Sequence, residues 1–243
     1  MKADVRIFKD GDALSLSAVG LFAEATDEAV RVRGRFLVAL SGGGTPTGTY
    51  RLLADEPYRN RVDWAKTFVF WGDERCVPPD DEGSNYYQAY RMLLEHVPIP
   101  EGNVKRIKGE LEPAEASDDY AQTLKRFAAS GLDWPRFDLV LLGMGADGHT
   151  ASLFPGSQVE SSSPTLAVTG HYQGRPAQRV TLTPPVFNSA RKILFLVMGE
   201  DKSVALSHVL SDIYEPIQYP AQRIQPIDGQ LIWFVDEAAA MNL

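Results

Sequence analysis

The sequence predicts an α/β protein, a three-layer α/β/α sandwich with a mostly parallel sheet. Three observations carry that expectation. Short apolar runs at residues 36–40, 67–71, 137–142 and 193–198 read as strands buried on both faces, as in sheets covered by helices on each side. Segments with apolar residues at helical spacing alternate with these runs along the chain. A glycine follows each run within two residues, Gly42, Gly72, Gly143 and Gly199, so each strand turns abruptly into a loop. In a parallel sheet those four loops converge on one edge, where open α/β sheets keep their ligands.

In chain order, residues 5–8 form a short strand. Residues 10–33 form a long helix with Leu14, Ala18, Leu21, Phe22, Ala25 and Ala29 on one face, ended by Gly34. The strand at 36–40 runs into Ser41-Gly42-Gly43-Gly44-Thr45-Pro46, with Thr45 expected to cap a helix whose first position is Pro46. The strand at 67–71 leads into Gly72-Asp73-Glu74-Arg75 and a loop at 78–83. A helix follows from Ser84, with Tyr86, Tyr90, Leu93 and Leu94 on its stripe. Residues 98–112 show no period; residues 113–129 read as an amphipathic helix carrying Tyr120, Leu124, Phe127 and Ala128. After the strand at 137–142, residues 161–164 read as an exposed turn, and 166–169 and 179–183 as short strands. The strand at 193–198 precedes Lys202 and a helix with Ala205, Leu206, Val209 and Leu210. A last strand at 231–234 and a short closing helix end the chain.

At 243 residues and 44% hydrophobic content, the chain fits one domain spanning 1–243. Cys76 is the only cysteine, which points to a reducing, cytoplasmic setting. The N-terminus has no signal-peptide core, and no apolar run approaches the roughly 20 residues of a membrane span. A net charge of -8 and a pI near 5.1 argue against nucleic acid as a partner. A small anionic ligand must therefore be captured by local positive charge, and a monomer or small homo-oligomer is expected.

The converging loops hold the chemistry. The glycine loop at 41–45 opens a helix, so its backbone N–H groups can cradle a phosphate; it lacks the Gly-Lys-Ser/Thr of a nucleoside-triphosphate loop. Gly143, Gly145 and Gly148 match a dinucleotide fingerprint in form. Residues 161–199 contain no Asp or Glu for a ribose, so these glycines read as a turn exposing His149. His149 suits general acid-base work near neutrality, with Asp147 or Asp73 to orient its ring. Arg75 and Lys202 sit in two of the four loops and can pair with an anion. His96, His171 and His208 stand singly, giving no metal-ligand spacing, and no Gly-x-Ser-x-Gly elbow supplies a serine nucleophile. No metal is expected.

Taken together, SGGGTP, WGDERCVPPDDEGSNY and LLGMGADGHTASLFPG, in this order, resemble the 6-phosphogluconolactonase family over roughly residues 36–210. The resemblance implies a Rossmann-like fold shared with glucosamine-6-phosphate deaminase and ribose-5-phosphate isomerase. It also implies cofactor-free hydrolysis of 6-phosphoglucono-1,5-lactone, a phosphorylated sugar lactone. By motif it implies His149, Asp147 and Arg75 as catalytic residues. Ser41, Gly42, Gly43, Gly44, Thr45, Asp73, Arg75, Asn85, Arg179 and Lys202 become the substrate- and phosphate-binding candidates. Two alternatives stand beside it: a sugar-phosphate deaminase or isomerase, and a non-catalytic sugar-phosphate sensor. The deaminases resembling this chain continue Asp-Gly-His as Ile-Ala-Phe-Asn-Glu-Pro, whereas here Phe154 takes the place of the glutamate.

Overall fold

The computed structural model describes residues 4–157, 162–171 and 174–243. In chain order the elements are β1 (Asp4–Phe8), α1 (Gly11–Arg33), β2 (Phe36–Leu40), α2 (Thr47–Ala54), α3 (Tyr58–Arg61), β3 (Thr67–Trp71), β4 (Asp73–Arg75) and α4 (Asn85–Met92). Then follow α5 (Pro113–Lys125), β5 (Leu139–Gly143), β6 (Thr165–Thr169), β7 (Gln178–Leu182), α6 (Pro184–Asn188), β8 (Lys192–Val197), α7 (Ser203–Val209) and β9 (Gln230–Asp236). Six strands form a parallel sheet in the order β1-β9-β8-β5-β2-β3. The expected parallel sheet is therefore present, and β2, β3, β5 and β8 deliver their following loops to one edge.

Local chemistry accounts for the elements. The Asp10 carboxylate accepts from Ala13 N at 2.9 Å and caps α1, Arg31 and Arg33 occupy its last turn, and Gly34 at φ 74° ends it. Leu14, Ala18, Phe22, Ala25 and Ala29 are buried as the periodicity requires. Ser84 caps α4, accepting from Tyr87 N at 3.1 Å. The core has an aromatic backbone: Phe22 meets Phe36 edge-on at 5.3 Å, Phe70 meets Phe137 at 5.2 Å, and Phe195 stacks on Trp233 at 3.8 Å. Each such side chain contributes about 1.5–3 kcal/mol by leaving water.

Four expectations are corrected. Thr45 does not cap a helix: α2 begins at Thr47, because the Pro46 carbonyl accepts the first helical bond, from Tyr50 N at 2.9 Å, which makes Pro46 the capping position. The helix expected at 113–129 ends at Lys125; residues 126–129 lie beyond it, held because Phe127 packs edge-on to Phe68 and Phe70. The short closing helix is a turn, in which the Asp236 carboxylate accepts from Ala239 N at 2.8 Å. Asp73–Arg75, expected in a loop, form β4, the edge of a second, antiparallel sheet in the order β4-β7-β6. The two sheets join at Gly72, whose N–H donates to Leu40 O at 2.9 Å and whose carbonyl accepts from Leu182 N at 2.8 Å. Of the turn expected at 161–164, Ser161 lies outside the described residues; Ser162 and Ser163 are exposed and Pro164 is buried. No described helix is long and apolar enough to cross a membrane.

Candidate active site

A cleft at the carboxyl edge of the parallel sheet is lined by Ser41, Gly42, Gly43, Gly44, Thr45, Asp73, Arg75, Asn85, His149, Arg179 and Lys202, together with Arg175. All of the candidate residues except Asp147 line it directly, and Asp147 reaches it through His149.

The turn after β5 is built around the histidine. A side chain at Gly145 would collide with the His149 ring, and Gly148 takes the left-handed conformation at φ 78°. Thr150 Oγ1 donates to Gly143 O at 2.8 Å and closes the loop against the strand. His149 Nδ1 lies 2.6 Å from Asp147 Oδ1, which also accepts from His149 N at 3.1 Å. Burial raises the cost of an Asp147 charge, but the bond and charge of His149 and the backbone donors outweigh it and hold the carboxyl below its ordinary range. An ionised Asp147 can only accept, so Nδ1 carries the proton and Nε2 the lone pair in the neutral imidazole.

Asp73 takes no part in that pair. Its Oδ2 accepts from Ser152 Oγ at 2.6 Å, and its Oδ1 from Asn85 Nδ2 at 3.2 Å, which ties β4, α4 and the histidine loop together. Of the two carboxylates open at the sequence level, the geometry puts Asp147 on the imidazole. Glu74, next in the chain, is buried beneath the site. It accepts from Arg75 N, Asn85 N, Tyr86 N and Ser84 Oγ, at 2.8, 2.6, 2.7 and 3.0 Å. Burial pushes its carboxyl up to about 7 against the pull of those donors.

Positive charge gathers on the second sheet. Arg75 and Arg179 stand directly opposite each other in the β4·β7 register, with only 8% and 3% exposure. Arg75 donates from Nη1 to Gly83 O at 2.7 Å, while its Nε and the Nε and Nη2 of Arg179 are buried without a hydrogen-bond partner. Burial pulls both guanidinium groups down from their ordinary values, Asp73 opposes this, and Arg175 adds to it. Like charges opposite one another destabilise a sheet, and buried cations need an anion. Lys202 also lines the cleft, paired with Asp201 at 2.6 Å.

The glycine loop is less open than its sequence implied. Ser41 N donates to Tyr50 Oη at 3.1 Å, and Gly43 N to Gln88 Oε1 at 2.9 Å. Two of its amides are therefore engaged within the protein. The Ser41 hydroxyl is buried and without a hydrogen-bond partner. Arg175 was missed at the sequence level. It lies three residues before β7, and lines the cleft because β7 pairs with β4. Among the described residues no three His, Cys, Asp or Glu side chains gather as a metal-ligand set.

Fold and cleft together define a class: an α/β sandwich that presents a histidine-aspartate pair beside two buried, mutually facing arginines at the end of a parallel sheet. The chain belongs to the family described as glucosamine-6-phosphate isomerases/6-phosphogluconolactonase, which it matches over residues 9–233. It is 38% identical over 246 residues to a 6-phosphogluconolactonase of Nostoc sp., covering 100% of this chain and 99% of that one. It is 41% identical over 218 residues to the 6-phosphogluconolactonase of Synechocystis sp., covering 89% and 88%. The solved 6-phosphogluconolactonase of Trypanosoma brucei superposes with a TM-score of 0.87 at 28% identity, over 100% and 99% of the two chains.

Proposed function

We propose that this chain hydrolyses 6-phospho-D-glucono-1,5-lactone to 6-phospho-D-gluconate. Its full-length similarity to 6-phosphogluconolactonases supports the activity. The observation that carries the reading within the site is the His149–Asp147 pair, bonded at 2.6 Å, in one cleft with the opposed Arg75 and Arg179.

A lactone carbonyl is an activated electrophile, so a base and stabilisation of the oxyanion suffice. His149 Nε2 takes a proton from water as the oxygen attacks C1. The tetrahedral intermediate then collapses with cleavage of the bond from C1 to the ring oxygen, which receives the proton from the imidazolium. Asp147, held ionised, orients the ring and balances its transient charge. The arginine pair seats the phosphate: Arg179 offers the open Nε and Nη2, a fork suited to two oxygens of one anion, and Arg75 adds its charge from the facing strand. Lys202 and the loop at 41–45 complete the positive surroundings of the substrate.

The test is purified protein with freshly made 6-phosphogluconolactone, following acid release. Release well above the spontaneous rate is expected, together with no ammonia from glucosamine 6-phosphate, since Phe154 cannot replace a carboxylate in proton transfer. Lactone opening at the spontaneous rate, or rapid deamination, would overturn the reading.

A further inference from the structure

Phe154 belongs to the histidine loop yet has no part in the chemistry above. Its ring lies against the His149 imidazole, with centroids 4.8 Å apart and planes at 34°. The Arg179 guanidinium carbon sits over the same ring, 5.3 Å from its centroid. The backbone is shaped to bring this about. Ala151 occupies the left-handed region at φ 48°, and Leu153 N donates to Thr150 O at 2.9 Å, closing a turn that folds Phe154 back toward the histidine. At Gly170, at the end of β6, any side chain would occupy the place of the Phe154 ring. A non-glycine residue with positive φ at a ligand cleft is a costly conformation, retained where the surroundings enforce it.

Asp147 fixes one edge of the His149 imidazole through Nδ1. A flat apolar surface against the face of the ring adds a constraint of another kind, on its plane and hence on the direction of Nε2. The same ring serves Arg179. Buried, with Nε and Nη2 unpartnered, its guanidinium is held where it stacks on an aromatic face.

We propose that Phe154 is a positioning residue shared by both halves of the site, setting the plane of the His149 imidazole and the aim of the Arg179 guanidinium through one ring. The separation between the base and the phosphate seat is then fixed by a rigid side chain, independently of substrate. This inference rests on the lactonase reading, and its test separates the two.

Phe154→Leu keeps an apolar side chain but removes the flat face; Phe154→Tyr restores that face. For the Leu variant, kcat should fall about ten- to a hundredfold, the scale on which small misplacements of a reacting group act. Its affinity for inorganic phosphate, by calorimetry, should fall roughly two- to fivefold with the loss of the cation–π contact. The Tyr variant should recover both. Wild-type kcat and phosphate affinity in the Leu variant would overturn the inference, as would loss of only one of them or a fall in thermal stability with both constants intact. Should the Leu variant not fold, Phe154→Met is read in the same way. If the wild type itself opens no lactone, the lactonase reading falls. The phosphate titration then still decides the inference: unchanged affinity in the variant rejects it, and weakened affinity restored by Tyr upholds the hold on Arg179.

Discussion

The two ends of the parallel sheet both collect arginines and a buried carboxylate, and they resolve them in opposite ways. At the end where the strands begin, Asp138 is 5% exposed and accepts from Leu37 N at 2.8 Å. Arg33 and Arg191 approach it at 2.7 and 3.3 Å, and Arg136 pairs with Asp228. At the end where the strands finish, Glu74 is held by backbone N–H groups and a hydroxyl, and Arg75 and Arg179 face each other with no ion pair among the described residues. One end has closed its electrostatics upon itself and ties β2 to β5. The other has left its arginines desolvated and without an ion pair among the described residues, with Asp73 only partly offsetting their charge, an arrangement whose cost is offset when an anion binds. The arginine content of a cluster therefore says little; whether its carboxylates are turned toward its arginines says which cluster awaits a ligand.

The largest effect that would break this contrast is at the base. His149→Ala should lower kcat by about 10² to 10⁴ while leaving the fold intact, because a positioned general base contributes that much. Turnover near the wild-type rate in a folded variant would show that the cleft works without its histidine.

The next test concerns the buried carboxylate of the active end. Its folded pKa is raised from 4.5 to about 7 by burial. Glu74 is therefore harmless to folding below about pH 4.5, and its cost grows as pH rises and is fully present above about 7, amounting to about 3 kcal/mol. Chemical denaturation of the wild type and Glu74→Gln across this range should show the difference between them changing with pH, the wild type losing the more as pH rises. Parallel stability curves would mean that the four donors fully offset burial.

The sheet and the cleft were largely legible in the sequence, because buried strands advertise themselves as apolar runs and glycine marks where each one ends. The second sheet was not. β4 is three residues long, and its partner β7 lies about a hundred residues further on, so no local period announces the pair. That gap hid the cross-strand meeting of Arg75 with Arg179 and the place of Arg175. Glu74 was overlooked for a related reason: its donors come from the start of α4, a contact set by the return of the chain. The open glycine loop was overstated because Tyr50 and Gln88 reach its backbone from helices, and Thr45 and Pro46 are displaced from their expected positions by a single residue.

A smaller effect sharpens the arginine contrast directly. Arg179→Met removes a charge-assisted contact worth roughly 1.5–3 kcal/mol, so affinity for 6-phosphogluconate should weaken about 10- to 150-fold. Folding stability should hold or rise, since the variant also relieves repulsion from Arg75 across the register. Calorimetry and denaturation on the same preparation check both; a loss of stability with unchanged affinity would move Arg179 into the structural class.

The smallest kinetic effect is expected at the opposite end, where it should be nil. Arg33→Met leaves Asp138 with Leu37 N and the more distant Arg191, so the loss should appear in folding stability at about 1–3 kcal/mol, the cost of an under-satisfied buried charge. Its pH dependence has a definite sign. Burial already raises the Asp138 pKa, with Leu37 N, Arg33 and Arg191 opposing, and removal of Arg33 raises it further. Protonation then relieves the uncompensated charge, so the gap between variant and wild type should narrow as pH falls and widen as it rises. Lactone turnover and phosphate affinity should match the wild type throughout. A variant that is stable but slow would show that the two ends of the sheet are coupled, and that the closed ion network is part of the catalytic apparatus.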